Sequence, residues 1–587
     1  MRRLGRIVVT LLSVVGLLTL AAVGLAIWGL GRLHQEVEPA LPDRLVLDLD
    51  LDGAFRQAGE ASPLARLSGE KSYVLPEVAA AIDRAAKDSR VKGLFATIGD
   101  TSLGMAGVQE IRDAVARFRA SGKPAVLFAE ALGEGGSGTR DVYLASAFGQ
   151  VWLQPSGDVG LTGFLAESPF IKGLLDTLGI QPEFGARYQY KSAIDVFTET
   201  GFTAAHRENL GALMDSWSAQ AVDGIAKGRK LAPDTVRALI DKGPLLASEA
   251  LAAGLVDKLG YRADALAAAG GGAKPKEVDI AEYAARTASH RGTGIALITG
   301  SGPIHRGESV GPLGDEDGIG SATIARAIRD AVADPQIKGI VLRIDSPGGS
   351  YVASDTIWHE VEAARAAGKP VVASMGDVAA SGGYFMAMAS NRVVAEPGTI
   401  TGSIGVFTGK LVLQDFWPKL GISWDQMHRG DNATIWSMNQ PFTPAEWDRV
   451  NALLDHIYQD FTAKAMAGRN IPADRIDGLA RGRVWSGADA KARGLVDALG
   501  GMAVALAEMR QLVHLPADAP LDLVTYPRPK TPLQLLAEVM GAAETGRDDL
   551  HAGVKVLQVL APFATRLETL DPAAAGELRL PDGMVPR

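Results

Sequence analysis

The sequence predicts two tandem α/β units, each a parallel sheet covered by helices, carried behind an N-terminal transmembrane helix. Three observations point there. Short segments recur in the same order at nearly constant spacing: GLVDKLG at Gly254–Gly260 returns as GLVDALG at Gly494–Gly500, an offset of 240, and LGI at Leu178 returns at Leu420, an offset of 242. GKP at Gly122 returns at Gly368, offset 246, and FTAA at Phe202 is answered by FTPA at Phe442, offset 240. Collinear matches with small drift mark a duplication, which has to be found before local structure is read. Within each copy, short apolar runs alternate with helical stretches, the pattern of parallel strands joined by crossovers. Finally, Ile7 to Leu30 is an uncharged apolar run of 24 positions.

Taken in order, that run is long enough as a helix to cross a hydrocarbon layer of ~30 Å and exceeds the apolar core of about 7 to 15 residues usual in a cleaved leader. Arg2, Arg3 and Arg6 precede it, so the positive-inside tendency keeps the N-terminus cytoplasmic and sends the body across, into the periplasm of a bacterial cell with two membranes. Each copy then opens on a buried-strand pattern, RLVLDLDLDG from Arg44 and GIALITGSGPI from Gly294. In the first, GLFATI at Gly93 precedes the helical stretch VQEIRDAVARFRASGKPAVLFAE; in the second, GIVLRIDSPGG at Gly339 precedes SDTIWHEVEAARAAGKPVVASMGD. The Gly/Ala/Lys-rich and charged segment from Gly270 to Gly292 is the expected boundary. The expected units are residues 1–42 for stub, anchor and linker, 43–292 for the first repeat, 293–525 for the second, and 526–587 for a tail that begins Pro-rich and receives no function.

Composition narrows the chemistry. The formal charge is -9 and no basic patch stands out, which argues against a general nucleic-acid binder. With no cysteine, thiol nucleophiles and Cys-ligated metals are excluded. No Walker loop, HExxH or dinucleotide fingerprint occurs, so no metal, nucleotide or organic cofactor is expected.

Motifs in the second repeat have no match in the first. DSPGGS at Asp345–Ser350 directly follows a strand pattern and offers consecutive backbone N–H groups to an anion, or makes an ordinary strand-to-helix turn. Ser381, in ASGGYFMAMA, stands at the mouth of an apolar helical run. A serine there caps the helix, or acts as a nucleophile whose oxyanion the free N–H groups stabilise. The first repeat has Thr139 at that offset, followed by Arg140 and Asp141.

A nucleophile needs a base. His359 lies on a charged helix face and His428 among turn formers, so both read as surface residues. A lysine serves in Ser-Lys variants of the catalytic triad, but with an ordinary pKa near 10.4 only roughly one lysine in 2,500 is neutral at pH 7, so the base must be buried among uncharged groups. Lys191, in YQYKSAIDVF, has such neighbours, and its counterpart falls near Ala433. It is either an exposed loop lysine or the base that one copy supplies to the other's serine.

At these residues the chain resembles a known family. YKSA at Tyr190–Ala193, DSPGG at Asp345–Gly349, ASGGY at Ala380–Tyr384 and TGSIGV at Thr401–Val406 look like the long, internally duplicated form of signal peptide peptidase A. The resemblance runs from Met1 to about Thr525. It implies tandem Clp protease/crotonase-like domains, an N-terminal anchor, a bowl-shaped homotetramer, and cleavage of leftover signal peptides in the membrane. Carried over by position, it implies Ser381 as nucleophile, Lys191 as general base and Ser403 as the hydroxyl that orients the lysine; Leu161 stands at the first-repeat position matching Ser403. It further implies an oxyanion hole from Gly348 or Gly349 together with Gly382. The expected partners are cleaved signal peptides, other apolar peptides and the bacterial inner membrane, with no nucleic acid. The rivals are a crotonase-like acyl-CoA enzyme, disfavoured by a body outside the cytoplasm, and a catalytically inactive membrane scaffold.

Overall fold

The structure is a computed structural model that describes residues 40–58, 71–272, 276–309 and 318–528, together with the strand Glu577–Arg579. Among the described residues no helix is long and apolar enough to cross a membrane; the run Ile7–Leu30 lies outside them.

Each repeat builds a parallel sheet. In the first, the strand order is Lys258–Leu259, Gln150–Leu153, Ala125–Ala129, Val91–Ile98, Leu45–Asp50 and Lys276–Asp279, all parallel. The second repeats that path with Ala498–Leu499, Arg392–Ala395, Val371–Ala380, Ile337–Ser346, Thr293–Ser301 and Leu521–Tyr526. The strands at 91 and 337, and those at 125 and 371, begin 246 residues apart, the drift already visible in the GKP match. Strands covered on both faces read as near-continuous apolar runs rather than as alternation, and LVLDLD and VKGLFATI are buried at most positions.

The repeated FTAA and FTPA acquire a physical meaning. Thr203 and Thr443 are the N-caps of two 26-residue helices, Ala204–Arg229 and Pro444–Arg469, each with its hydroxyl accepting a backbone N–H of the first turn. Such a cap supplies one of the four partners that a helix start lacks. The segment expected as a boundary proves more structured than a linker. Lys276–Asp279 pairs with Leu45–Asp50, and the following helix Ile280–Thr287 buries Ile280, Tyr283 and Ala284 against the first core. The charged residues that suggested a linker lie mostly on the solvent side of this edge.

The two repeats share more than a chain connection. A third sheet crosses between them: Gln181–Arg187 of the first repeat pairs antiparallel with Val406–Val412 of the second over seven residues, from Gln181 opposite Val412 to Arg187 opposite Val406. Asp377, on a second-repeat strand, accepts the N–H groups of Ala106 (2.8 Å) and Gly107 (3.0 Å) at the start of the first-repeat helix Met105–Ala120. Arg343 is 1% exposed and reaches across to Glu110 Oε2 at 2.7 Å and to Gln57 Oε1 at 2.9 Å. Glu110 Oε1 in turn accepts the Met502 N–H at 2.8 Å.

Burying this ion pair is costly unless both partners stay in place, and breaking such a pair by removing one side typically costs about 3–5 kcal/mol. Glu110→Ala is expected to lower stability by about that amount, read as a shift in urea midpoint. Glu110→Leu combined with Arg343→Met should recover much of the loss, because no charge is then left buried alone.

Candidate active site

Two neighbouring strands leave the second sheet side by side. Val371–Ala380 and Ile400–Gly402 are parallel, with Ala380 opposite Gly402, so the next residues, Ser381 and Ser403, emerge next to each other. Both turn with a left-handed backbone, φ 56° at Ser381 and 52° at Ser403, a conformation that costs a non-glycine residue about 1–3 kcal/mol. The turns are held by the sheet: Ser381 N–H donates to Gly402 O at 2.8 Å, and Ser403 N–H donates to Arg483 O at 2.8 Å.

Ser381 precedes the short helix Gly382–Ala387 without capping it by its side chain. Of the two readings the sequence left open, the cap is therefore not the one realised, and the hydroxyl is free for another partner. Gly382 permits the tight approach that follows, since a side-chain carbon there would lie 2.6 Å from Ser354 Oγ and 3.2 Å from Gly349 N. The Gly349 and Gly382 backbones thus lie together beside Ser381. Gly348 N–H is given to Ser346 Oγ at 3.1 Å, and Gly349 stands in a strand between Ile304 and Leu578.

Lys191 arrives from the other repeat. The strand Gln181–Arg187 delivers it, and a tight turn follows in which Tyr188 and Tyr190 N–H groups both donate to Arg481 O at 3.2 Å. Gly482 lets this turn seat, because a side-chain carbon there would come within 2.5 Å of Lys191 N. Arg187 anchors the strand end to the second-repeat helix through Asp455 Oδ1 at 2.5 Å and Asn451 Oδ1 at 3.1 Å. Lys191 is 2% exposed, not the exposed loop residue that the sequence left open.

Its Nζ lies 2.7 Å from Ser381 Oγ, 3.0 Å from Ser403 Oγ and 3.1 Å from Ser403 O. A neutral amine has two N–H donors and one lone pair. Two hydrogens satisfy the two Ser403 oxygens, and the lone pair is left to accept the Ser381 O–H. Burial pushes the Lys191 amine well below its ordinary value, and desolvation is the sole cause. The arrangement can take a proton from Ser381 and return it to a leaving group.

The first repeat cannot do this. Thr139 is buried, with its hydroxyl bound to Gly163 O at 2.9 Å and accepting Gly163 N–H at 2.8 Å. Leu161 is fully buried in the first core, and Ala433, the counterpart of Lys191, is exposed. His359 and His428 are both exposed. A buried pair went unread in the sequence: His206 Nδ1 lies 3.2 Å from Asp195 Oδ2, which also accepts the Thr203 hydroxyl at 3.2 Å. It ties the segment just after Lys191 to the helix Ala204–Arg229. Histidine four residues after the phenylalanine of FTAA was the available signal.

The model of peptidase family S49 matches residues 117–275 and 363–516, once in each repeat. The first match contains Lys191, the second Ser381 and Ser403. The chain belongs to peptidase family S49. Serine protease SPPA of Arabidopsis thaliana, a chloroplastic protein, is 33% identical over 82% of this chain and 72% of its own length. Protease 4 of Salmonella typhi is 34% identical over 75% of this chain and 72% of its own, and Protease 4 of Haemophilus influenzae 29% over 82% and 81%. These relatives make the S49 chain a long, duplicated member with the fold of a serine peptidase.

Titration of Lys191 should be visible in stability. Above its ordinary value of 10.5 the lysine is neutral whether the chain is folded or not. As pH falls from there, the unfolded chain binds the proton first, so stability declines until the folded lysine titrates too. Lys191→Met should flatten this slope in urea midpoints measured between pH 7 and 10, and should leave the protein at least as stable at pH 7.

Proposed function

We propose that this S49 serine peptidase is a membrane-anchored endopeptidase with a Ser381–Lys191 dyad that degrades cleaved signal peptides and other apolar peptides at the membrane. The observation that carries the reading is the 2.7 Å approach of a desolvated Lys191 amine to Ser381 Oγ. In the proposed mechanism, neutral Lys191 takes the Ser381 proton as the hydroxyl attacks a peptide carbonyl. The developing oxyanion is met by backbone N–H groups of Gly349 and Gly382, and the lysine ammonium then protonates the leaving amine. Water repeats the cycle on the acyl-enzyme. Ser403 fixes the amine so that its lone pair faces Ser381, a positioning role rather than a chemical one.

The apolar run Ile7–Leu30, with Arg2, Arg3 and Arg6 ahead of it, supports a single-pass anchor in the bacterial inner membrane, with the catalytic body periplasmic. Family resemblance supports a homotetramer. An extended apolar peptide is the substrate class that such a membrane holds near the body.

Cleavage of a fluorogenic apolar peptide by the detergent-solubilised full chain tests the dyad. Ser381→Ala and Lys191→Ala should each lower kcat by about 10³-fold or more, as removal of triad members does. Ser403→Ala should cost less, about 10- to 100-fold, and shift the pH profile of kcat/KM, because the amine loses a partner. Wild type should react with a fluorophosphonate at Ser381, with labelling rising as pH rises through the lowered lysine pKa. Near-normal turnover by a folded Lys191→Ala chain would overturn the assignment of the base.

A further inference from the structure

A segment from the far end of the chain lies between the strands that flank Ser381. Glu577–Arg579 runs antiparallel to Gly348–Ser350, with Gly348 opposite Arg579, Gly349 opposite Leu578 and Ser350 opposite Glu577. Its other edge meets Val406–Val412, where Glu577 stands opposite Phe407. It therefore completes the third sheet, whose order is Ile319–Gly320, Ile304–His305, Gly348–Ser350, Glu577–Arg579, Val406–Val412, Gln181–Arg187. Without it, two backbone edges face each other across a gap. Two strands that share a neighbour stand about 9.5 Å apart, the width of one extended chain.

This gap is the approach to the candidate dyad. Gly349 is beside Ser381, and Val406 begins three residues after Ser403. A peptide that presents a carbonyl to Ser381 has to lie along the same edges, taking its affinity from main-chain hydrogen bonds. Tail strand and peptide therefore compete for one set of backbone donors and acceptors.

We propose that Glu577–Arg579 is an internal competitor for the peptide groove: the chain's own C-terminal strand takes the substrate's place and must leave before an external peptide enters. This inference rests on the peptidase reading of the site. It also sets a direction, since an incoming peptide replacing the strand runs antiparallel to Gly348–Ser350. Weak pairing suffices for such a device. The strand is covalently joined to the body through the 48 residues from 529 to 576, and covalent linkage supplies an effective concentration that reaches the order of mM. A strand with intrinsic affinity in that range is seated about half the time or more, and an apolar peptide of higher affinity displaces it.

The test keeps the full chain. Leu578→Pro removes a backbone donor from a strand flanked on both sides, a place where proline is not tolerated. It should lower KM for a fluorogenic apolar peptide about twofold or more with kcat unchanged, since only the competent fraction rises. The synthetic peptide Ala574–Arg587 should inhibit the Leu578→Pro chain competitively, and the same peptide with proline at 578 should not. Intact mass is recorded for every assayed chain. Loss of the tail from wild type but not from Ser381→Ala also supports the proposal, because only a strand seated in the groove reaches Ser381. Equal KM for wild type with its tail intact and Leu578→Pro, with no inhibition by the added peptide, would overturn it. Hydrogen exchange on the Ser381→Ala background separates this inference from the peptidase reading. Faster exchange at Gly348–Ser350 and Val406–Val412 on adding Leu578→Pro shows that the strand was seated even if no peptide is cut; unchanged exchange refutes the seating even if peptides are cut.

Discussion

The site depends on keeping one amine out of water. A lysine beside a carboxylate would stay charged, and a charged Lys191 has no lone pair with which to accept the Ser381 proton. No acidic group shifts this lysine upward; burial alone acts, and it acts downward. Complete burial of a flexible side chain requires walls on every side, and neither repeat supplies them alone. The first repeat contributes the strand that brings Lys191 in, and the second contributes Ser381, Ser403 and the Gly482 turn that closes over the lysine backbone. The seven-residue antiparallel pairing between repeats is therefore part of the site, because it helps set the dielectric in which the amine sits.

Precision comes from sheet register. Ala380 opposite Gly402 fixes two serines side by side, and each then enters a strained left-handed turn. Strain of that kind persists where the surroundings over-determine it. Here the determinants are the backbone bonds to Gly402 O and Arg483 O and the fully buried helix behind Ser381, whose Tyr384 hydroxyl donates to Leu495 O at 3.1 Å. Tyr351, Trp358 and Phe461 pack around Phe385 of the same helix. The apolar run after Ser381 thus serves as the foundation for a turn that would otherwise relax, and a helix end that relaxed would move the Gly382 backbone away from Gly349.

What the sequence made legible was repetition and its breaks. Matching segments such as GLVDKLG and FTAA located equivalent elements, and the absence of partners for Ser381 and Lys191 set those two apart, while Ser403 came from the family resemblance. Periodicity also read the paired sheets correctly, because their strands are buried on both faces. It did not read Gln181–Arg187, a strand only partly buried whose partners lie far along the chain, from Val406 opposite Arg187 to Val412 opposite Gln181, so that pairing, not hydropathy, makes it a strand. The Gly270–Gly292 segment was read as a boundary since its charges sit on an edge that faces solvent. Arg343 offered no signal either: an arginine in an apolar strand reads as an interruption until Glu110, far away in the other repeat, neutralises it.

Duplication explains why these long-range contacts exist. A single copy carrying both a nucleophile and a lysine needs an edge strand from somewhere to cover the amine, and a second copy of the same fold offers one already shaped to fit. Once the copies are joined, each is free to lose the half of the site that the other supplies. Thr139, locked onto Gly163, and Leu161, packed in the first core, stand at the serine positions in the copy that carries Lys191; the exposed Ala433 marks the lysine's position in the copy that carries Ser381 and Ser403. Each lost position has been turned to local stability or released to solvent. The Asp377 cap and the Arg343–Glu110 pair follow from the same logic, since residues that hold the copies in one orientation are indispensable only when the site lies between them.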